Sequence, residues 1–298
     1  MPLILRAAAL ASLLVAVPAF AQDEPAPADA PIAVVRAAPA NKGIDPQELD
    51  GDSLMIGLGV GAVPSYEGSN DTAISIVPGL RGRVSGINFS LRGNRFFADI
   101  IPTKGGPGWD IQAGPMIQAN FNRHVNIIDA QVKKLPKRKI AVEAGGFVGL
   151  GKQGVFTSDY DKLAVTVSYV HDIAGVHDSY VITPALDYGT PLSTGAFFGL
   201  NLSADYAGNG YGATYFSVNA AESVASGLPV FTAGKGWKDW TIAPYALVSL
   251  TGDLTHGLGV LGTVSYRRML DDFAASPVTS IAGSRSQWSG MIGLAYTF

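Results

Sequence analysis

In segment after segment from Ser53 to the final Phe298, apolar side chains recur at every second position, and that period constrains the fold more than any other feature of the chain. In one stretch Trp109, Ile111, Ala113, Pro115, Ile117, Ala119 and Phe121 alternate with Asp110, Gln112, Gly114, Met116, Gln118 and Asn120. Successive side chains of a β-strand point to opposite faces, so the stretch reads as a strand with one greasy and one wet face. The same reading holds for Leu54, Ile56, Leu58 and Val60, for Ile140, Val142, Ala144, Val148 and Leu150, and for Leu163, Val165, Val167 and Tyr169. It holds again for Trp288, Ile292, Leu294, Tyr296 and Phe298.

A soluble sandwich also alternates, so the filling of the second face decides between it and a membrane barrel. In a sandwich that face meets water and carries charge; here it is mainly Gly, Ser, Thr, Asn and Gln, and only 15% of the chain is charged, against about 25% in ordinary soluble domains. Trp109, Phe121, Tyr188, Tyr206, Trp240, Tyr266, Trp288 and Tyr296 fall near strand ends, where interfacial girdles belong. Backbone groups in lipid must all pair, which obliges a sheet there to close. The expected fold is therefore all-β: an antiparallel up-and-down transmembrane barrel over 53–298.

The spacing predicts about twelve strands, over 54–63, 72–83, 86–92, 95–101, 108–121, 138–151, 160–172, 179–188, 196–206, 237–251, 257–269 and 287–298. Ten is the alternative if 86–101 forms one irregular strand. An even number puts both termini on one side, periplasmic in bacterial barrels. Short connections such as Thr190–Ser193 and Gly252–Thr255 then fall in the periplasm, and the long ones, 122–137, 207–236 and 270–286, fall outside.

Ahead of the strands, Arg6 precedes an apolar run from Ala7 to Val17, followed by Pro18 and Ala19-Phe20-Ala21. This is the layout of a secretory signal peptide over 1–21, and the run is too short to span a membrane. The segment 22–52 is rich in alanine and proline, with Pro25, Pro27, Pro31, Pro39 and Pro46 breaking any regular element, and is expected to be a flexible periplasmic leader.

Several stretches together resemble the MipA/OmpV family of outer-membrane proteins. Gly57-Leu58-Gly59-Val60-Gly61 runs into Pro64-Ser65-Tyr66-Glu67-Gly68-Ser69-Asn70, similar to the family's glycine-rich strand and its tyrosine-glutamate-glycine-serine turn. Tyr215-Phe216-Ser217-Val218, Ala225-Ser226-Gly227-Leu228-Pro229 and Ala233-Gly234-Lys235-Gly236 are similar to its long loop. Tyr266-Arg267-Arg268-Met269-Leu270, Ser276-Pro277-Val278 and Gly283-Ser284-Arg285-Ser286-Gln287 lead into a closing strand. The resemblance implies a bacterial outer-membrane protein serving as a non-enzymatic scaffold or anchor for murein enzymes, with a lytic transglycosylase and a murein synthase as partners. The alternative is a small-solute channel or permeability determinant. The terminal Tyr296-Thr297-Phe298 resembles the signal by which the barrel-assembly machinery recognises its substrates.

The remaining candidates come from the residues themselves. Tyr66, Glu67, Gly68 and Ser69 suit a turn, the glycine supplying positive φ and the glutamate an amide cap or a partner contact. Alternation turns Arg81, Arg83, Asp110, Glu143, Asp205 and Arg267 inward, where mixed signs fit either an ion-pair network that blocks the barrel or the lining of a narrow pore. Lys133, Lys134, Lys137, Arg138 and Lys139 crowd the loop before the sixth strand and, if extracellular, would face lipopolysaccharide phosphates among the outer-membrane lipids.

Catalysis finds little support. Ser168 and His171 are three apart, so a strand sends them to opposite faces, and the chain lacks Gly-x-Ser-x-Gly, His-Glu-x-x-His and a phosphate-binding loop. With no cysteine there is no disulfide or thiolate site, and 21 Lys and Arg against 24 Asp and Glu offer no basic surface for nucleic acid. No cofactor or metal is expected.

Overall fold

The computed structural model describes residues 51–103 and 107–298. The expected signal peptide and all but the last two residues of the expected leader lie outside the described residues.

Twelve strands form in chain order: β1 (Ser53–Pro64), β2 (Thr72–Val84), β3 (Ile87–Arg92), β4 (Arg95–Asp99), β5 (Gly108–Asn120), β6 (Ala141–Gln153), β7 (Lys162–Asp172), β8 (Tyr180–Ser193), β9 (Ala196–Ala207), β10 (Gly236–Ser249), β11 (Gly257–Met269) and β12 (Ser286–Thr297). Each pairs antiparallel with its sequence neighbours, and β12 closes on β1 from Met55↔Thr297 to Ala62↔Gly290. The closure continues one residue further, where Phe298 N donates to Leu54 O at 2.9 Å.

The doubtful stretch 86–101 resolves into two short strands. Arg92 pairs with Arg95 across Gly93-Asn94, a turn that uses φ of 63° at Gly93, so the barrel has twelve strands and not ten. One connection moves. Thr190–Ser193, expected as a periplasmic turn, continues β8, because Thr190↔Phe198 and Pro191↔Phe197 extend the ladder to a tight turn at 194–195.

The wall has the chemistry that alternation implied. Ile74, Ile76, Ile111, Val148 and Ile292 stand exposed on its outer face, as lipid-facing residues do. Aromatic pairs mark one rim, with Tyr169 on Tyr180, Tyr206 on Trp237, and Trp240 and Trp288 on Tyr266. Trp109 beneath Lys152, with Tyr296 against Phe298, marks the other.

The connections 65–71, 121–140, 173–179, 208–235 and 270–285 all leave from the same end as that first rim; Ser53 at the start of β1 and Phe298 lie at the opposite one. Short helices stiffen the longer loops: α1 (Asn209–Tyr215), α2 (Ala220–Ser226), α3 (Asp271–Ala275) and α4 (Pro277–Ser280). The Asn219–Glu222 capping box starts α2 and Gly227, at φ of 76°, ends it.

The buried apolar core is not spread along the barrel. Tyr211, Tyr215, Phe216 and Phe273 pack on Met116, Val170, Val181 and Met269 at the strand ends, and Tyr66, Val132, Leu135, Val218, Leu228 and Val278 form a second layer from the loops. The loops are therefore a packed cap over one mouth of the barrel.

Candidate functional site

The turn after β1 does two jobs. Tyr66 Oη donates to Ala282 O at 2.5 Å, Gln287 Nε2 donates to Ser69 O at 3.0 Å, and Ser284 N donates to Gly68 O at 2.7 Å, which fastens the turn to the last loop. Gly68 sits at φ of 96° against the Thr279 side chain, a conformation and a space that exclude any Cβ. Held this way, Glu67 enters the barrel mouth.

There it meets a lysine that a β-bulge supplies. The β9–β10 register runs Trp237↔Tyr206 and then Asp239↔Asp205, so Lys238 is an extra residue on β10. A bulge re-aims side chains locally, and Lys238 and Asp239, adjacent in sequence, are both buried while Trp237 faces outward. Lys238 Nζ lies 2.8 Å from Glu67 Oε1, 3.2 Å from Asp205 Oδ2 and 3.5 Å from Asp239 Oδ2. Arg95 Nη2 reaches Asp205 at 3.3 Å, and Arg267 reaches Glu67 at 3.6 Å and Asp239 at 3.7 Å. Three carboxylates face three cations, so every carboxylate here has an opposite charge within 4 Å.

Tyr211 of α1 links this cluster to a second one. Its Oη donates to Glu67 Oε2 at 2.6 Å and accepts from Asn120 Nδ2 at 3.2 Å, and its ring lies beneath Lys238 Nζ at 5.0 Å. Asn120 also donates to Glu143 Oε1 at 3.0 Å, His177 Nε2 lies at 3.0 Å from the same oxygen, and Gln118 Nε2 donates to Glu143 Oε2. His177 packs against the rings of both Tyr211 and Tyr215, which also contact each other.

Burial alone would raise the Glu67 carboxyl, but the Lys238 ammonium and the Arg267 guanidinium hold it below its ordinary value. Burial, with Glu67 beside it, pushes the Tyr211 phenol well up, so it stays a donor. The whole assembly is a network of ion pairs and hydrogen bonds at the loop-side mouth.

Of the six expected lumen charges, Asp205, Arg267 and Glu143 join this network. Asp110 instead forms its own pair with Lys162 at 2.5 Å near the opposite end. Arg83 donates to Thr103 O at 2.9 Å, and Arg81 is exposed. Glu67 was expected as a cap or partner contact and proves to be a centre of the network. Lys238, Asp239, Arg95, Tyr211 and His177 were not foreseen; for the first two, an adjacent Lys-Asp pair in an alternating strand was the available signal for a bulge.

Ser168 is buried and His171 exposed, on opposite faces. Among the described residues, no group of three His, Cys, Asp or Glu is gathered so that it could hold a metal ion. Tyr296, near the end of β12, and Phe298, one residue past it, stand exposed on the outer wall.

A closed barrel, apolar outside and polar within, is an outer-membrane-type transmembrane β-barrel. A family model described as MltA-interacting protein MipA matches residues 56–298. The chain belongs to that family, and the protein is an outer-membrane β-barrel. Among solved structures it is similar to a bacterial polysaccharide outer membrane secretin, with 11% identity over 84% of this chain and 99% of that one and a TM-score of 0.34. It is also similar to Pseudomonas aeruginosa OccK11 (OpdR), with 9% identity over 83% of this chain and 95% of that one and a TM-score of 0.27. No curated protein matches the chain.

Proposed function

We propose that this barrel is a plugged, non-enzymatic anchor that holds a murein lytic transglycosylase, and with it a murein synthase, at the inner face of the outer membrane. The family description names an interaction with MltA, and that supports the choice of partner. The carrying observation is the cluster of Glu67, Lys238, Asp205, Asp239, Arg95 and Arg267, tied through Tyr211 to Glu143 and packed under the loops. Charges neutralised by one another and roofed by aromatic rings suit a seal better than a conducting lining. In this reading the termini face the periplasm, and the 22–50 leader and the short turns carry the contacts. Tyr296 and Phe298 serve as the signal for barrel assembly.

Two measurements test it. Single-channel recording of the refolded barrel in a planar bilayer is expected to be silent once insertion is verified; steady openings altered by Glu143→Gln or Arg267→Gln would replace the anchor with a channel. Purified lytic transglycosylase is expected to be retained on the immobilised barrel and lost when 22–50 is deleted, and equal retention without that segment removes it from the interface.

A further inference from the structure

Strand β2 is paired along only part of one of its two edges. Strand β2 pairs with β1 along its whole length, from Ser53↔Arg83 to Pro64↔Thr72, but with β3 only from Gly79↔Arg92 to Val84↔Ile87. The β3–β4 hairpin turns back too early to cover the loop-side half of β2. Ser65 N donates to Asp71 O at 3.0 Å, which fixes the ladder phase: odd residues of β2 bond to β1, and even ones aim their backbone the other way. Thr72, Ile74 and Ile76 thus direct N–H and C=O groups, and Pro78 its C=O, to a side on which no backbone bond forms among the described residues.

Unpaired backbone facing lipid is strongly disfavoured, so its chemistry shows what covers it. Proline, which has no N–H, occupies the deepest of the four positions, where a donor would find no water. At the shallow end, Thr72 and Ile74 form one wall of a groove of about 430 Å³, with Asn126, Ile127, Ile128 and Lys133 forming the other. Lys133, Lys134, Lys137 and Lys139 of that loop are exposed and make no ion pair among the described residues, whereas Arg138 pairs with Glu222. Below the groove, Ile74 and Ile76 are 68% and 70% exposed on the outer wall.

We propose that this notch binds one phosphate-bearing lipid of the surrounding leaflet, its phosphate on Lys133 and the free N–H groups of Thr72 and Ile74, its acyl chains along Ile74 and Ile76. Cations and backbone N–H groups together make an anion site, and the apolar surface directly beneath it is what distinguishes a lipid from free phosphate. The inference rests on the loop end lying outermost, but not on the anchor role.

Native mass spectrometry of the full barrel in detergent, titrated with bis-phosphorylated lipid A, tests it. One lipid per barrel is expected to persist at detergent concentrations that strip phosphatidylcholine. Lys133→Gln is expected to weaken retention about fivefold, the effect of one surface cation on an anionic lipid, while Lys152→Gln at the opposite rim leaves it unchanged. Ile76→Ser, which keeps every charge, is expected to weaken lipid A retention as well. Equal loss from Lys152→Gln, no loss from Lys133→Gln in a barrel that still runs folded on unheated gels, or equal competition by inorganic phosphate would each overturn the proposal.

Discussion

Replacing Lys238 by methionine keeps the apolar stem and removes one charge from the plug. Lys238 is 3% exposed and touches Glu67 at 2.8 Å, Asp205 at 3.2 Å and Asp239 at 3.5 Å. Without it three carboxylates face two guanidiniums, and one buried negative charge has no counterpart. Removing one partner of a buried ion pair costs about 3–5 kcal/mol, or roughly two to four orders of magnitude in the folded-to-unfolded ratio. The comparison variant is Arg92→Met. That residue pairs with Asp187 at 3.2 Å but is 60% exposed, and such pairs contribute about 0–1 kcal/mol. Urea titration of both barrels refolded into phosphatidylcholine vesicles, followed by tryptophan fluorescence and by migration on unheated gels, reads the difference. Adding Asp205→Asn to Lys238→Met is expected to recover part of the loss, since it removes a charge the lysine had balanced. If Lys238→Met loses less than about 1 kcal/mol, no more than Arg92→Met, the plug is not an electrostatically coupled unit and its role as a seal fails with it.

Two further outcomes follow from residues outside the strands. Gly68→Ala places a Cβ against Thr279 at φ of 96°, so it is expected to destabilise the barrel by about 1–3 kcal/mol and to speed tryptic cleavage at Arg285; unchanged cleavage would show that the turn does not fasten the last loop. Asp161 accepts from the backbone of Val155, Phe156 and Thr157 at 2.6, 2.8 and 2.8 Å. Burial opposes its charge, yet these bonds hold its carboxyl well below the ordinary carboxylate range. A depressed folded value means that its stabilisation is complete above the unfolded pKa of about 3.9 and is lost as pH falls through the folded value. The difference in unfolding midpoint between wild type and Asp161→Asn is expected to stay constant from pH 7 to about pH 5 and to narrow progressively below about pH 4, and parallel curves down to about pH 2 would contradict the assignment.

The strands were legible in the sequence because each is a local pattern. The period of two in Trp109–Phe121 or Trp288–Phe298 needs no knowledge of the partner strand, and closure follows from the requirement that every backbone group in lipid be paired. The short hairpin at 87–99 stayed open between one strand and two, because its strands are only six and five residues long and alternation over so few residues does not show where the chain reverses. The plug was not legible at all. Tyr211 meets Glu67 from 144 positions away and Lys238 meets it from 171, and nothing local ties those positions together. The bulge that turns Lys238 inward is a property of the β9–β10 register, and strict alternation from Trp237 would have sent either the lysine or the aspartate into the lipid. The gap beside β2 arises likewise from how far β3 reaches along it. The sequence alone therefore determined that the chain closes into a membrane barrel with its long loops on one side. Only the tertiary structure decided how those loops pack, which charges they bury together and where the wall stays unpaired, because these depend on contacts between segments far apart in the chain.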